Sequence, residues 1–403
     1  MSKEGLAVDS RRGGRFVELD GLRGVAAMMV LVQHLAARFC NGVLIGTAAV
    51  RVFFVLSGFL ISGILLENRR KIEAEGESLS GSVRRFYFRR FARLVPVLYL
   101  AVIAAAALNL GAARQSWPWD LTYLSNFYAI KRGQLQEATG HFWTLAIEEQ
   151  FYLVWPWVIL LVPRRRMAGL LVGIIVSAPV FRLAMMLLKR DAIWYYCLPP
   201  GCLDALGLGA LLAWARVEGG DAWGGIVRRL EKIGWIIGLP LSCFGLWALR
   251  GGVSLVAMRN SAHWRWAVRP MQLDQMVLTE SAYALVGFAA VASLVTRPRS
   301  IGAAVMRWRP LVYLGTISYG LYVYHIPIKS FYATYLVGDF AWLPRENTRY
   351  YFFLLTGISV GVASASWFLM ERPIARWKHR RDGVLAGQRM RETNGEAMLN
   401  AEL

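Results

Sequence analysis

Residues 16–39 read FVELDGLRGVAAMMVLVQHLAARF. The stretch is greasy enough to cross a bilayer, yet it carries Arg23 and His34 eleven residues apart. Eleven residues is close to three helical turns, so the two side chains share one face about 16 Å apart along the axis. Ionisable groups inside a span are costly and by default mark a functional site. In one reading the pair is structural, with His34 bonded to a neighbouring carbonyl and Arg23 reaching back to the inner headgroups. In the other, His34 is a general base, because imidazole titrates near physiological pH, and Arg23 holds an anionic or carbonyl group.

Working outward, the same apolar texture recurs. The chain has 403 residues, is 56% hydrophobic and has a mean hydropathy of +0.40. Apolar blocks of spanning length fall at about 16–37, 46–66, 94–112, 144–162, 168–188, 199–215, 234–250, 276–295, 310–330 and 351–371. Backbone groups in lipid must be satisfied internally, so these blocks predict helices and no open sheet. The expected fold is an all-α integral membrane bundle of about ten helices. One membrane domain covers 16–375, flanked by a segment at 1–15 and a basic, polar tail at 376–403.

The formal charge of +20 is unevenly placed. With the N-terminus inside and sides alternating, the inner segments hold 30 Lys and Arg and the outer ones 12, with Arg23, Arg51, Arg182 and Lys329 inside spans. That is the positive-inside bias, and it predicts both termini in the cytoplasm. A nucleic-acid partner would want a basic soluble domain, and no segment is long enough for one. The first block lacks a signal-peptide cleavage site and should stay as a span. Cys40, Cys197, Cys202 and Cys243 have no metal-ligand spacing, so no metal is expected; a disulfide on the outer side stays open.

Four further stretches carry candidate chemistry. HFWTLAIEEQFYLVWP (141–156) opens the fourth block from outside, with Glu148 and Tyr152 on one face and Glu149 beside them. Glu148 is expected near His34, where a carboxylate would fix the imidazole tautomer; at least one of the two glutamates is expected to face water, and His141 to be solvated. RRFYFRRFARLVP (84–96) sets Arg85, Arg89 and Arg93 in a stripe with Arg90 alongside. Such a run either meets anionic lipid at an inner helix end or cradles the phosphates of a cytoplasmic donor such as a coenzyme A thioester. In RVFFVLSGFLIS (51–62), Ser57-Gly58 permits close helix packing, and Arg51 sits near the outer end, where snorkelling explains it. In LGTISYGLYVYHIPI (314–328), Ser318, Tyr322 and His325 form one polar stripe, either a hydrogen-bond network between helices or a binding face. In the outer loop 251–275, Trp264 and Trp266 read as interfacial belt residues, and His263 and His379 are given no role.

Taken together and in order, ELDGLRGVAA (18–27) with His34, FFVLSGFLIS (53–62), FYFRRFARLVP (86–96), YLSNF (123–127), HFWTLAIEEQFYLVWP (141–156), LDALGLGALLA (203–213) and GTISYGLYVYHIPI (315–328) resemble the integral-membrane acyltransferase family 3. The resemblance implies a ten-helix bundle in a bacterial inner membrane. It also implies transfer of an acyl group, acetyl above all, from cytoplasmic acyl-CoA to a hydroxyl of a glycan or glycolipid outside. No permanently bound cofactor is implied; acyl-CoA is a substrate. Arg23 and His34 match the family's arginine–histidine motif, Arg90 and Arg93 its RxxR motif and Glu148 its glutamate. Ser57, Ser318, Tyr319 and His325 match polar positions in the other motifs, and Tyr322 joins them as a substrate contact. Members often place an arginine two residues before the aspartate of the sixth helix; here Cys202 precedes Asp204, leaving its charge partner open. Some members carry a soluble esterase-like domain. This sequence runs only about 30 residues beyond its last block, so transfer is expected to finish in the bundle or on a separate extracytoplasmic transferase. The rival classes are a transporter or flippase of a lipid-linked glycan or acyl donor, and a non-catalytic membrane receptor.

Overall fold

The computed structural model describes residues 16–36, 45–244, 273–337, 343–344 and 348–377. Among these the chain is helical and contains no strand. The helices are α1 (Val17–Leu35), α2 (Ile45–Glu75), α3 (Leu79–Ala107), α4 (Ala113–Leu121), α5 (Ser125–Arg132), α6 (Trp143–Leu161), α7 (Arg164–Leu187), α8 (Ala192–Cys197), α9 (Leu203–Val217), α10 (Gly220–Ile233), α11 (Leu273–Thr296), α12 (Ile301–Met306), α13 (Arg309–Thr316), α14 (Ser318–Tyr335) and α15 (Arg349–Ser366). Five are long and apolar enough to cross a bilayer: α2, α3, α7, α11 over Val277–Thr296, and α15 continued to Trp377. The chain is a multi-pass membrane protein.

Burial sorts the helices into centre and rim. The apolar windows of α2 and α11 are 67% buried, those of α7 and α15 only 17%. On α7, Val172, Val176, Val180, Leu183 and Leu187 are exposed, and on α15 so is Phe353. An apolar surface this extensive needs lipid to cover it. The centre holds α2 against α9 and α1 against α13. Glycine sets both crossings. An added Cβ at Gly58 would overlap the carbonyl oxygen of Leu206, and one at Gly209 that of Val55. Gly24 and Gly315 meet Leu311 and Asp20 in the same way. Backbones approach this closely in membranes only where side chains are missing.

Several sequence expectations change in detail. The helix of the second block does not end where the apolar run ends. α2 runs on to Glu75, the chain turns at Gly76 (φ +66°), and the basic stretch already belongs to α3. The projecting end of α2 grips its neighbours. Arg69 donates to Ile159 O and Val162 O at 2.9 and 2.7 Å, where α6 ends. Arg70 bonds Val217 O at the end of α9, and Arg164 of α7 pairs with Glu73 and Glu218. The ninth block is two helices, α13 and α14, parted at Ile317 just after the tight Gly315 crossing. The segment 113–142 is folded into α4, α5 and a short 3-10 turn at Gly140–Phe142. The seventh block is helical through residue 244; its remainder, the loop with His263, Trp264 and Trp266, Cys40, and the tail with His379 lie outside the described residues.

A buried ion network ties α2, α7, α9 and α11 together. Arg51 pairs with Glu280 and reaches Gly201 O at 3.3 Å. Arg182 donates to Asp204 and Gly201 O, both at 2.6 Å, and to Ser281 at 2.5 Å. Both arginines are at most 1% exposed. Two cations thus face two carboxylates out of water, the arrangement that a buried charge demands. This corrects two readings: Arg51 does not snorkel, and Asp204 takes its partner from α7, not from the position of Cys202. Cys197 and Cys202 are buried free thiols.

Candidate functional site

One cavity brings most of the predicted site residues together. It encloses about 110 Å³, several times the roughly 10–15 Å³ that one water needs. Arg23 of α1, Ser57 of α2, Arg90 and Arg93 of α3, Thr144, Glu148 and Tyr152 of α6, and Ser318, Tyr319 and Tyr322 of α14 line it. Each arrives by helical spacing. Arg90 and Arg93 are one turn apart, as are Thr144, Glu148 and Tyr152, and Ser318 and Tyr322. Ser57 is next to the Gly58 crossing, which draws α2 inward and aims its hydroxyl at α6.

Opposite charges meet inside the cavity. Ser57 and Tyr152 hydroxyls hydrogen-bond each other, and Glu148 faces both. Arg23 lies within electrostatic reach of Glu148 and Arg93, and the Arg90 guanidinium sits 5.2 Å over the Tyr152 ring. The lining itself carries three guanidiniums and one carboxylate, with Glu149 and Glu371 within electrostatic reach of Arg90 and Arg93 from outside it; guanidinium forks facing the space suit an anionic guest. Arg85 and Arg89 are not part of it. Arg85 is engaged by Glu77 across the turn between α2 and α3, and Arg89 faces outward. Of the four arginines expected to hold a donor, the cavity takes two.

Tyr322 closes one end. Its hydroxyl lies 2.6 Å from that of Thr144 and donates to His141 O at 2.8 Å. Behind it stand three histidines. His325 Nε2 is 2.8 Å from His34 Nδ1, with the rings nearly parallel at 19°. His141 meets His325 edge-on at 5.0 Å. Lys329 Nζ donates to His34 O at 3.2 Å, a cation on the carbonyl end of α1. His34 itself is half-buried and does not line the cavity.

Three expectations are corrected here. Glu148 does not support His34; it faces Ser57 and Tyr152 beside Arg23, and His325 takes its place at His34. Neither glutamate stands in open water: Glu148 and Glu149 are both half-buried. His141 is only 6% exposed, not solvated. The common cause is that α6 starts deep in the fold. Gly140–Phe142 is a buried 3-10 turn, so every residue of the motif lies further in than a helix starting at the membrane surface would put it.

The sequence reading missed the roles of His141, Thr144 and Glu371. Glu371 ends a π-helical turn after α15, is 7% exposed and lies within electrostatic reach of Arg93 and Arg23. Its one signal was a carboxylate at the edge of an apolar block. For His141 there was a clue in Pro327, which has no N–H and so releases Val323 O from the helix ladder; His141 Nε2 lies 3.4 Å from that oxygen. Among the described residues no group of three or more His, Cys, Asp or Glu side chains is placed to hold a metal.

The model of a family described as an acyltransferase domain matches residues 16–368. The chain is similar to a peptidoglycan O-acetyltransferase of Listeria monocytogenes, 27% identical over 330 residues that cover 77% of this chain and 49% of the relative. It is also similar to an O-acetyltransferase of Staphylococcus aureus, 25% identical over 378 residues, 89% of this chain and 57% of the relative. The chain spans about half the length of the curated relatives it matches. No solved structure matches it.

Proposed function

The chain belongs to the acyltransferase family whose model covers residues 16–368, and on that premise we propose that it moves an acyl group, acetyl foremost, from cytoplasmic acyl-CoA to a hydroxyl of a glycan or glycolipid outside a bacterial inner membrane. In this reading the chain crosses the bilayer about ten times with both ends in the cytoplasm. The relatives' names favour a cell-wall polysaccharide as acceptor. A separate extracytoplasmic transferase remains a possible last carrier.

The observation that carries the reading is the cavity in which Arg23, Arg90 and Arg93 surround one glutamate and two hydroxyls. Arg90 and Arg93 take donor phosphates at the inner end, since guanidinium forks match phosphate oxygens. A space of about 110 Å³ accepts the small thioester end and not the whole coenzyme. Arg23 polarises the thioester carbonyl and stabilises the oxyanion as it forms. The acceptor comes from the His34 side. Its oxygen attacks the carbonyl carbon, the C–O bond forms and the C–S bond breaks. His34 takes the hydroxyl proton, which passes to the departing thiolate, leaving an ester and free coenzyme A. Tyr322 lies between the cavity and the histidines, so in this reading the reacting groups meet at its position.

A second route has a specific observation behind it. Ser57 lies in the cavity against Tyr152 and Glu148, an arrangement that would let it carry the acyl group briefly before the acceptor takes it. Purified protein in nanodiscs, given radiolabelled acetyl-CoA and a glycan acceptor, tests the function. Acceptor-dependent release of coenzyme A is expected, and its loss in His34→Ala at normal protein levels. Acceptor movement without thioester consumption would favour the transporter reading. Label retained on the wild-type protein but not on Ser57→Ala would favour the covalent route.

A further inference from the structure

His325 settles which nitrogen of His34 is basic. His325 Nδ1 lies 2.7 Å from Tyr322 O and 3.2 Å from Leu321 O. Carbonyl oxygens only accept, so Nδ1 carries a hydrogen. In a neutral imidazole the other nitrogen is then an acceptor. The side chain is 0% exposed, and among the described residues the titratable groups facing it are His34, His141, Tyr322 and Lys329, none of them a carboxylate; a second proton there would be a buried charge without a counterion. Its Nε2 therefore accepts, and the atom 2.8 Å away, His34 Nδ1, must donate. With its hydrogen on Nδ1, His34 keeps its lone pair on Nε2.

We propose that His325 is a positioning residue that holds His34 in the Nδ1–H tautomer and so makes Nε2 the atom that takes the acceptor's proton. The surroundings are built to keep the His325 ring in place. Two carbonyls of its own helix hold Nδ1, and His141 braces the ring edge-on, itself aimed at the carbonyl that Pro327 leaves open. The arrangement differs from a histidine held by a carboxylate. A neutral acceptor orients the imidazole without stabilising the imidazolium as strongly, so His34 gives its proton up again readily, which suits delivery to a leaving thiolate.

The role of His325 rests on the reading of His34 as the base; the tautomer does not. The test is therefore two-sided. Protein labelled with 15N-histidine is reconstituted in nanodiscs, and the His34 signals are assigned by their loss in His34→Asn. The wild type is expected to show a protonated Nδ1 and a bare Nε2. His325→Leu is expected to shift His34 toward the other tautomer and lower kcat about 10- to 100-fold, with the KM for acyl-CoA within about twofold. His325→Gln, whose side-chain oxygen reaches roughly the Nε2 position, is expected to restore both the tautomer and most of kcat. Should His325→Leu fail to accumulate, the wild-type spectrum and His325→Gln decide alone. A wild-type His34 protonated at Nε2, or a His325→Leu protein with unchanged tautomer and kcat, would overturn the proposal. The assigned tautomer in a protein that consumes no thioester would instead count against acyl transfer.

Discussion

Replacing Arg182 with methionine should cost the fold about 3 kcal/mol, the low end of what breaking a buried ion pair costs. The low end follows from what remains. Asp204 is 3% exposed, but without Arg182 it keeps a backbone N–H from Ala205 at 2.9 Å and Arg51 at 4.0 Å. Gly201 O, which loses a 2.6 Å bond, keeps Arg51 at 3.3 Å. Asp204→Leu alone strands the guanidinium in the same way and should cost a similar amount. The double variant removes both charges and leaves Arg51 paired with Glu280. It should cost about 1 kcal/mol, because replacing a buried pair by apolar groups is often near neutral. The coupling is then about 5 kcal/mol, close to four powers of ten in the folding equilibrium. Unfolding the purified protein in mixed micelles by titrating denaturing detergent, read from its 16 tryptophans, measures all three variants on one scale. Additive single costs would refute the claim that these two charges sustain each other.

Other expectations follow from single contacts. Gly58→Val should lower the amount of folded protein sharply, since its branches would meet Leu206 O, with a cost of at least about 1–3 kcal/mol; Gly169→Ala, with open space around it, should be silent in the same fluorescence-detected gel filtration. Arg93→Ala should raise the KM for acyl-CoA about 10- to 100-fold, the worth of one charged hydrogen bond, while kcat changes by less than about threefold; the opposite split would remove Arg93 from donor binding. Burial pushes the Asp120 carboxyl, in α4 between the long helices α3 and α6, up to about 7. The folded protein then binds this proton more tightly than the unfolded chain, so stability is greatest below about pH 4 and falls as pH rises to about 7. Unfolding midpoints at pH 5 and pH 8 should therefore differ less in Asp120→Asn than in the wild type.

The ordered motifs made the family legible because each pairs a polar group with an apolar frame that has no other use for it. Arg23, Ser57, Arg90, Arg93, Glu148 and the Ser318–Tyr322 stripe could all be named in advance, since helical spacing alone fixes which residues share a face. Which face meets which was not legible. His34 was matched to Glu148 from their supposed depths, and depth failed once Gly140–Phe142 proved to be sunk in the fold. Arg51 and Asp204 were misjudged for a related reason: their partners, Glu280 and Arg182, come from helices far along the chain, and no local pattern announces such a meeting. Arg85 could not be separated from its neighbours by charge alone, because the turn at Gly76 that brings Glu77 to it leaves little trace beyond one glycine.

The overhang of α2 makes its end of the bundle lopsided. Its Arg69, Arg70 and Glu73 fasten the adjoining ends of α6, α9 and α7 into a collar of carbonyls, carboxylates and guanidiniums. On the other flank α3 carries Arg90 and Arg93 past α14, where the Tyr319 hydroxyl donates to Leu94 O at 2.7 Å. In the proposed reaction a nucleotide thioester would enter between a clamped jamb and one lined with guanidiniums.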